Sequence, residues 1–300
     1  MKTIYHKPVM LEEAIQGLKI DPHGVYVDVT YGGGGHSRAI LQKLSDKGRL
    51  IAFDQDAAAH ENYISDNRFQ LIDGNFSHLN RHLKFCGITR VDGILADFGV
   101  SSHQFDSGSR GFSTRLEGPL DMRMNTQGEF SAREVVNEYN TEELQQIFKD
   151  YGELRIARKL ANHIVKVREE NPIETTQGLV QLLTPILPKH VFNKIIAQVF
   201  QAIRIEVNAE LEVIKSFLEQ SIEVLQLGGR LVCISYHSLE DRLVKIFIRE
   251  GKFVGKAESD LYGNRNLPLK KVGNLQIPSD EEIKENSRAR SGKLRIAERI

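Results

Sequence analysis

The chain has 300 residues, of which 40% are hydrophobic and 27% charged, and its 40 basic and 40 acidic side chains cancel to a formal net charge of zero. Such a composition excludes a disordered chain, and the length suits a large domain carrying a smaller second one. No apolar run approaches the eighteen or so residues of a membrane span, and residues 1–10 (MKTIYHKPVM) lack the apolar core of a signal peptide, so a cytoplasmic protein without membrane partners is expected.

Neutrality does not advertise a nucleic-acid partner, but a local cluster of cations would be enough. Residues 242–300 hold fourteen Lys/Arg against eight Asp/Glu, and residues 149–168 hold six against two. The two cysteines, Cys86 and Cys233, lie far apart among apolar neighbours and read as buried free thiols; no zinc or other metal site is expected.

Along the chain, residues 25–30 (VYVDVT), 49–54 (RLIAFD), 69–72 (FQLI) and 91–97 (VDGILAD) read as strands. Residues 36–44 between the first two read as a helix with Ala39, Ile40 and Leu44 on one stripe. Strands alternating with helices predict an α/β fold with a mostly parallel sheet covered on both faces. Residues 101–123 are loop-like, and from residue 131 to about 203 the signal is helical. Asn140 and Glu143 form a capping box, Thr175 or Thr176 caps a further helix, and Pro185 and Pro188 interrupt it. A long amphipathic helix over residues 209–227 then ends at Gly228-Gly229 and feeds a strand at 230–235 (RLVCIS). The last strand is expected at 293–299, and the polar stretch 251–291 reads as a loop near the sheet edge. The domains predicted are therefore 1–111 with 208–300, interrupted by an all-helical insert at 112–207.

The first strand runs into Gly32-Gly33-Gly34-Gly35-His36-Ser37, a turn whose glycines let the backbone come close to a ligand. Asp54 ends the second strand, where a carboxylate can accept both ribose hydroxyls of an adenine nucleoside. A dinucleotide fingerprint would need a third glycine where Ser37 or Arg38 stands, and a phosphate loop would need Gly-Lys-Ser/Thr, so neither pattern fits. Asp28, just ahead of the glycines, suits a cofactor with an ammonium and a sulfonium better than one with a pyrophosphate. After the third strand, Phe76 either packs on adenine or belongs to the core. After the fourth comes Asp97-Phe98-Gly99-Val100-Ser101-Ser102-His103-Gln104.

Read together, these segments resemble the bacterial small-subunit ribosomal RNA cytosine-N4 methyltransferase family (RsmH/MraW). The resemblance is carried by His6-Lys7-Pro8-Val9-Met10, Gly34-Gly35-His36-Ser37, Asp97-Phe98-Gly99-Val100-Ser101-Ser102 and Arg110-Gly111-Phe112-Ser113. It continues through Gly118-Pro119-Leu120-Asp121-Met122-Arg123-Met124, Phe200-Gln201-Ala202-Ile203-Arg204-Ile205, Ser235-Tyr236-His237-Ser238-Leu239-Glu240-Asp241-Arg242 and Arg288-Ala289-Arg290. Together these eight segments span nearly the whole chain in the family's order, and the fifth and seventh, GPLDMRM and SYHSLEDR, are the most specific. The departures are Tyr31 and Tyr236, where other members often have Phe, and the extra Gly33.

The resemblance implies a Rossmann-like class I methyltransferase fold with an inserted helical substrate-recognition domain. It implies S-adenosylmethionine as cofactor, contacted by Gly34, Gly35, His36, Asp54, Phe76, Asp97 and Gln104. The implied substrate is a cytidine in the decoding centre of 16S rRNA, in RNA or the small ribosomal subunit. An exocyclic amine is a poor nucleophile that must shed a proton, so acceptors are needed; Asp97, His237 and Asp241 are the candidates. Tyr236 is placed against the target base, and Arg110, Arg115, Arg123, Arg288, Arg290 and Arg295 against RNA phosphates. A nicotinamide dehydrogenase, a DNA amino-methyltransferase and a non-catalytic RNA-binding module are the rivals. The absent third glycine, the absent prolines after Asp97 and the intact glycine loop with its two aspartates count against them in turn. DNA is not an expected partner, and the oligomeric state stays open, a homodimer included.

Overall fold

The structure, a computed structural model, describes residues 8–259, 262 and 265–300; His6 and Lys7 of the first matching segment lie outside the described residues. Two compact units form, residues 1–99 with 211–300, and residues 100–210.

The first unit is an α/β sandwich. Its elements are α1 (Leu11–Leu18), β1 (Val25–Asp28), α2 (Gly35–Lys43), β2 (Arg49–Asp54), β3 (Phe69–Asp73), α3 (Leu79–Phe85) and β4 (Val91–Asp97). After the second unit's α4 (Ser102–Asp106), α5 (Ala132–Glu138), α6 (Thr141–Asp150), α7 (Ala157–Arg168), α8 (Thr176–Leu183) and α9 (Phe192–Asn208), the chain returns. It closes the first unit with α10 (Glu210–Val224), β5 (Leu225–Ser235), α11 (Ser238–Glu250), β6 (Leu269–Gln276), α12 (Asp280–Glu285) and β7 (Lys293–Arg299).

Among the described residues the sheet has seven strands in the order β3-β2-β1-β4-β5-β7-β6. The first five are parallel, while β7 runs antiparallel to both β5 and β6. The central strands are almost wholly apolar because both faces are covered. Val27, Ile51, Ile94 and Leu231 pack with Phe217 and Phe247 on one side, and Leu50, Leu95 and Val232 pack with Leu18 and Ile40 on the other. Strand order reverses at β1, which lies between β2 and β4; in such sheets that reversal opens a crevice at the carboxyl ends of the strands.

Three expectations shift. The helix expected over 209–227 ends at Val224, and Gly228-Gly229 lie within β5 instead of stopping the helix. The first strand stops at Asp28 rather than Thr30, because Thr30 turns: its N–H donates to Asp28 Oδ1 (3.1 Å) and its hydroxyl accepts the Asp97 N–H (2.7 Å). That bond ties the ends of β1 and β4 together. The stretch read as a loop contains the edge strand β6 and the short α12. β6 escaped notice because of its residues only Leu269 is fully buried; its lysines face water, and its register with β7 shifts between Val272 and Gln276. Of the thiols, Cys233 is buried, with its pKa pushed up by desolvation, whereas Cys86 is only half-buried.

The second unit is helical around Phe148, Leu160, Ile164, Leu179, Val199 and Ile203. Asn140 and Glu143 make the reciprocal capping box at α6, and the Thr175 hydroxyl caps α8. Residues 100–111, loop-like in composition, group with this unit, and its other edge falls at Glu210.

Candidate active site

Each of the first four strands ends in an aspartate: Asp28, Asp54, Asp73 and Asp97. β1 and β4 run in register, with Asp28 opposite Leu95, so the first and last of these carboxylates stand on the same rim at the point of strand reversal.

Asp28 is fully buried and holds the glycine turn in place. It accepts the Ser37 hydroxyl (2.7 Å) and the Thr30 N–H, and burial raises its pKa. Gly34 caps α2 at φ 73°, a left-handed conformation, and a Cβ there would lie 2.8 Å from the Tyr31 ring. The turn is therefore a backbone cradle that side chains cannot fill.

Asp54 accepts the Gly32 N–H (2.8 Å) on one oxygen and the Asp56 N–H (2.9 Å) on the other. A carboxylate has about four lone-pair sites, so acceptor capacity remains for a pair of hydroxyls. Burial, with Asp56 and Asp28 adding like charge, raises its pKa to about 6 against those two hydrogen bonds. Phe76 follows β3 on a single turn capped by Asn75, whose amide also reaches Gln55 at the end of β2 (2.8 Å). The Phe76 ring is half-buried against Phe217 (centroids 5.5 Å apart) and Phe98 (6.2 Å).

Asp97 sits in a network of named partners. Tyr236, just past β5, donates its hydroxyl to Asp97 Oδ1 (2.7 Å), and His36 Nδ1 lies 3.8 Å from Oδ2. The His36 Nε2 meets the Val9 carbonyl (3.1 Å), which can only accept, so the proton facing Asp97 is present only in the imidazolium. Burial is the leading cause that lifts the Asp97 pKa to about 6; His36 and Tyr236 pull it down, and Asp28 and Glu240 push it up. Among the described residues neither Asp54 nor Asp97 has a lysine or arginine partner. Their negative charge is under-compensated within the protein, which fits a ligand offering hydroxyl donors and positive charge.

The remaining candidates separate. Asp241 is held in a two-pronged pair with Arg295 (2.6 and 3.2 Å), with Lys293 at 3.8 Å, which ties α11 to β7. His237 caps α11 and lies 3.1 Å from Glu240 Oε1. Tyr236, expected against a base, has its hydroxyl on Asp97 instead. In the helical unit Arg123 forks onto Asp121 (2.7 Å twice), and Arg110 donates to the Arg123 and Met124 carbonyls (2.9 and 3.2 Å), so both brace their own loop. Gln104 also belongs to that unit, its side chain accepting the Ser101 N–H (2.9 Å). Arg115 and Arg290 are exposed, and Arg288 is half-buried.

Glu240 was missed. It is fully buried and accepts the Tyr236 and His237 N–H groups (2.8 and 3.3 Å), which fixes the turn that presents Tyr236. Its signal was available: a polar cap followed three positions later by Glu, directly after a strand, although histidine is an unusual cap.

The sheet order, the glycine cradle and the two rim carboxylates define a class I methyltransferase dependent on S-adenosylmethionine. A model of the MraW methylase family matches residues 3–300. The chain is 58% identical to the ribosomal RNA small subunit methyltransferase H of Christiangramia forsetii, over 99% of this chain and 98% of that protein. The protein of the same name from Flavobacterium johnsoniae is 57% identical over the same shares. A solved rRNA methylase from Streptococcus thermophilus is a distant likeness, with 11% identity, 99% of each chain covered and a TM-score of 0.43. The chain belongs to the MraW methylase family.

Proposed function

We propose that the enzyme methylates the exocyclic N4 of one cytidine in the decoding centre of 16S rRNA, acting in the cytoplasm on RNA or the small ribosomal subunit. Family membership and relatives named for the small-subunit RNA support the substrate class. The observation that carries the chemistry is the Tyr236–Asp97 pair at the strand-reversal point, an acceptor of raised pKa on the rim beside the glycine cradle.

In this reading S-adenosylmethionine, when bound, supplies an electrophilic methyl group. Gly34 and Gly35 offer backbone at close approach, Asp54 accepts the ribose hydroxyls, and Phe76 packs its ring against adenine. His36 stands behind Asp97 as a source of compensating charge, and Gln104 keeps the cofactor contact that the family resemblance implies. Asp97 accepts a hydrogen bond from the amino group of cytosine, which steers the nitrogen lone pair toward the methyl and stabilises the positive charge that develops on nitrogen. The raised pKa keeps Asp97 basic enough to receive the proton that the nitrogen sheds. Arg115, Arg288 and Arg290 remain as RNA contacts, and the helical unit is the substrate-recognition module.

The test is methyl transfer from labelled S-adenosylmethionine to small subunits lacking the modification, followed by mapping of the label. Label on N4 of a single 16S cytidine is expected. Label on another atom, or none on any ribosomal RNA, would overturn the proposal.

A further inference from the structure

The helical unit carries a basic face that the site above does not use. α7 turns Ala157, Leu160, Ala161 and Ile164 into the core, which leaves Arg158, Lys159, Asn162 and Lys166 exposed on the opposite side; Arg155, in the turn just before the helix, is exposed as well. No Asp or Glu occurs between residues 154 and 168. Arg155, Ile156, Arg158, Lys159 and Asn162 line a shallow depression open to solvent.

The state of the cations matters more than their number. Arg123, Arg133, Arg168 and Arg204, in the same unit, are bound to Asp121, Glu174, the Val136 and Tyr139 carbonyls, and Glu210. Lys159 Nζ donates to the Ile186 carbonyl (2.9 Å), which pins it at the edge of the concavity. By contrast no hydrogen bond or ion pair engages the Arg155 or Arg158 side chain among the described residues. Cations gathered in a hollow without an acid repel one another and raise the local concentration of anions. A guanidinium fork with its donors unengaged matches phosphate oxygens in pairs.

We propose that this face of α7 is a docking tract for the phosphate backbone of RNA, read without regard to sequence. From Arg158 to Lys166 the helix runs about 12 Å at 1.5 Å per residue, with Arg155 in the turn just before it, enough for about two consecutive phosphates. The inference rests on the RNA-substrate reading above and adds where the backbone is held. The face is solvent-exposed and no protein contact depends on Arg155 or Arg158, so both can be neutralised without loss of folding.

The experiment compares Arg155→Gln/Arg158→Gln with the wild type in binding a decoding-region RNA fragment across a salt series. Each lost phosphate contact removes about 0.7–0.9 from the slope of log K against log salt. The double variant should therefore lose about 1.4–1.8 in slope and bind about 25- to 60-fold more weakly near 0.1 M salt, with unchanged affinity for S-adenosylmethionine. Lys43→Gln/Lys47→Gln, which removes the same charge from exposed positions on the other unit, should leave the slope alone. An unchanged slope in the arginine variant, or an equal fall in both variants, overturns the proposal. So does weaker binding to assembled subunits with naked RNA unaffected, which would assign the face to a protein surface. Methyl transfer by the wild type, measured in parallel, separates this failure from failure of the substrate assignment.

Discussion

Tyr236→Phe removes one oxygen from the centre of the site and nothing else. In the wild type the Tyr236 hydroxyl donates to Asp97 at 2.7 Å, and a donor to a carboxylate favours its charged form. The other groups facing Asp97 are His36 from α2, Asp28 from β1 and Glu240 from α11, and phenylalanine leaves all three in place. A hydrogen bond to a charged group contributes about 1.5–3 kcal/mol, equivalent to about 1–2 pH units. Loss of that bond should raise the Asp97 pKa from about 6 to about 7–8. Because kcat/KM reports the free enzyme, the assay is kcat/KM for methyl transfer against pH. The acid limb of the wild type should fall near 6 and that of the variant one to two units higher, about tenfold slower near pH 6.5 and almost equal near pH 9. A uniform fall at every pH, with the limb unmoved, would make Tyr236 a packing residue and remove Asp97 as the acceptor.

Asp54→Asn should weaken S-adenosylmethionine binding about ten- to a hundredfold, since each hydrogen bond to a charged acceptor is worth about 1.5–3 kcal/mol; calorimetry showing undiminished affinity would take Asp54 out of the site. The same variant tests the protonation of Asp54. A carboxyl raised from 3.8 to about 6 is free to fold neutral below the lower value and becomes costly as pH rises through the upper one. The cofactor-free wild type should therefore lose up to about 3 kcal/mol of stability from this group between about pH 4 and pH 7, and Asp54→Asn should flatten that part of the melting-temperature profile. Asp241→Asn should lower the melting temperature by leaving Arg295 half-matched, while the acid limb of the pH–rate profile stays where it is; a shifted limb would return Asp241 to the chemistry.

What was legible in the sequence follows from which signals are local. β2 and β4 were read with the ends the structure shows, and the capping pair Asn140 and Glu143 was read correctly, because apolar runs and caps are settled within a few residues. β6 was not, because an edge strand wetted on its outer side has no period to detect. The premature end of β1 was hidden for another reason: Thr30 leaves the strand to bond Asp97, 67 positions away.

The arginines show the same limit inside the site. Composition and motif counted Arg110, Arg123 and Arg295 as ligands for phosphate, and each is matched within the fold to an acid or a carbonyl whose identity depends on tertiary contact. Arg155 and Arg158 fell within the basic stretch 149–168 that composition noted, but nothing in the sequence told that their guanidinium groups, unlike those of Arg110, Arg123 and Arg295, have no hydrogen bond or ion pair among the described residues. A cation's availability is a property of its neighbours' charges, so in a neutral chain the search for a polyanion site must begin from unmatched donors rather than from basic residues. By that criterion the acidic rim of the sheet and the basic face of α7 are complementary parts of one requirement. In the proposed reading the first would hold a positively charged donor of methyl groups, and the second the negatively charged chain that receives one.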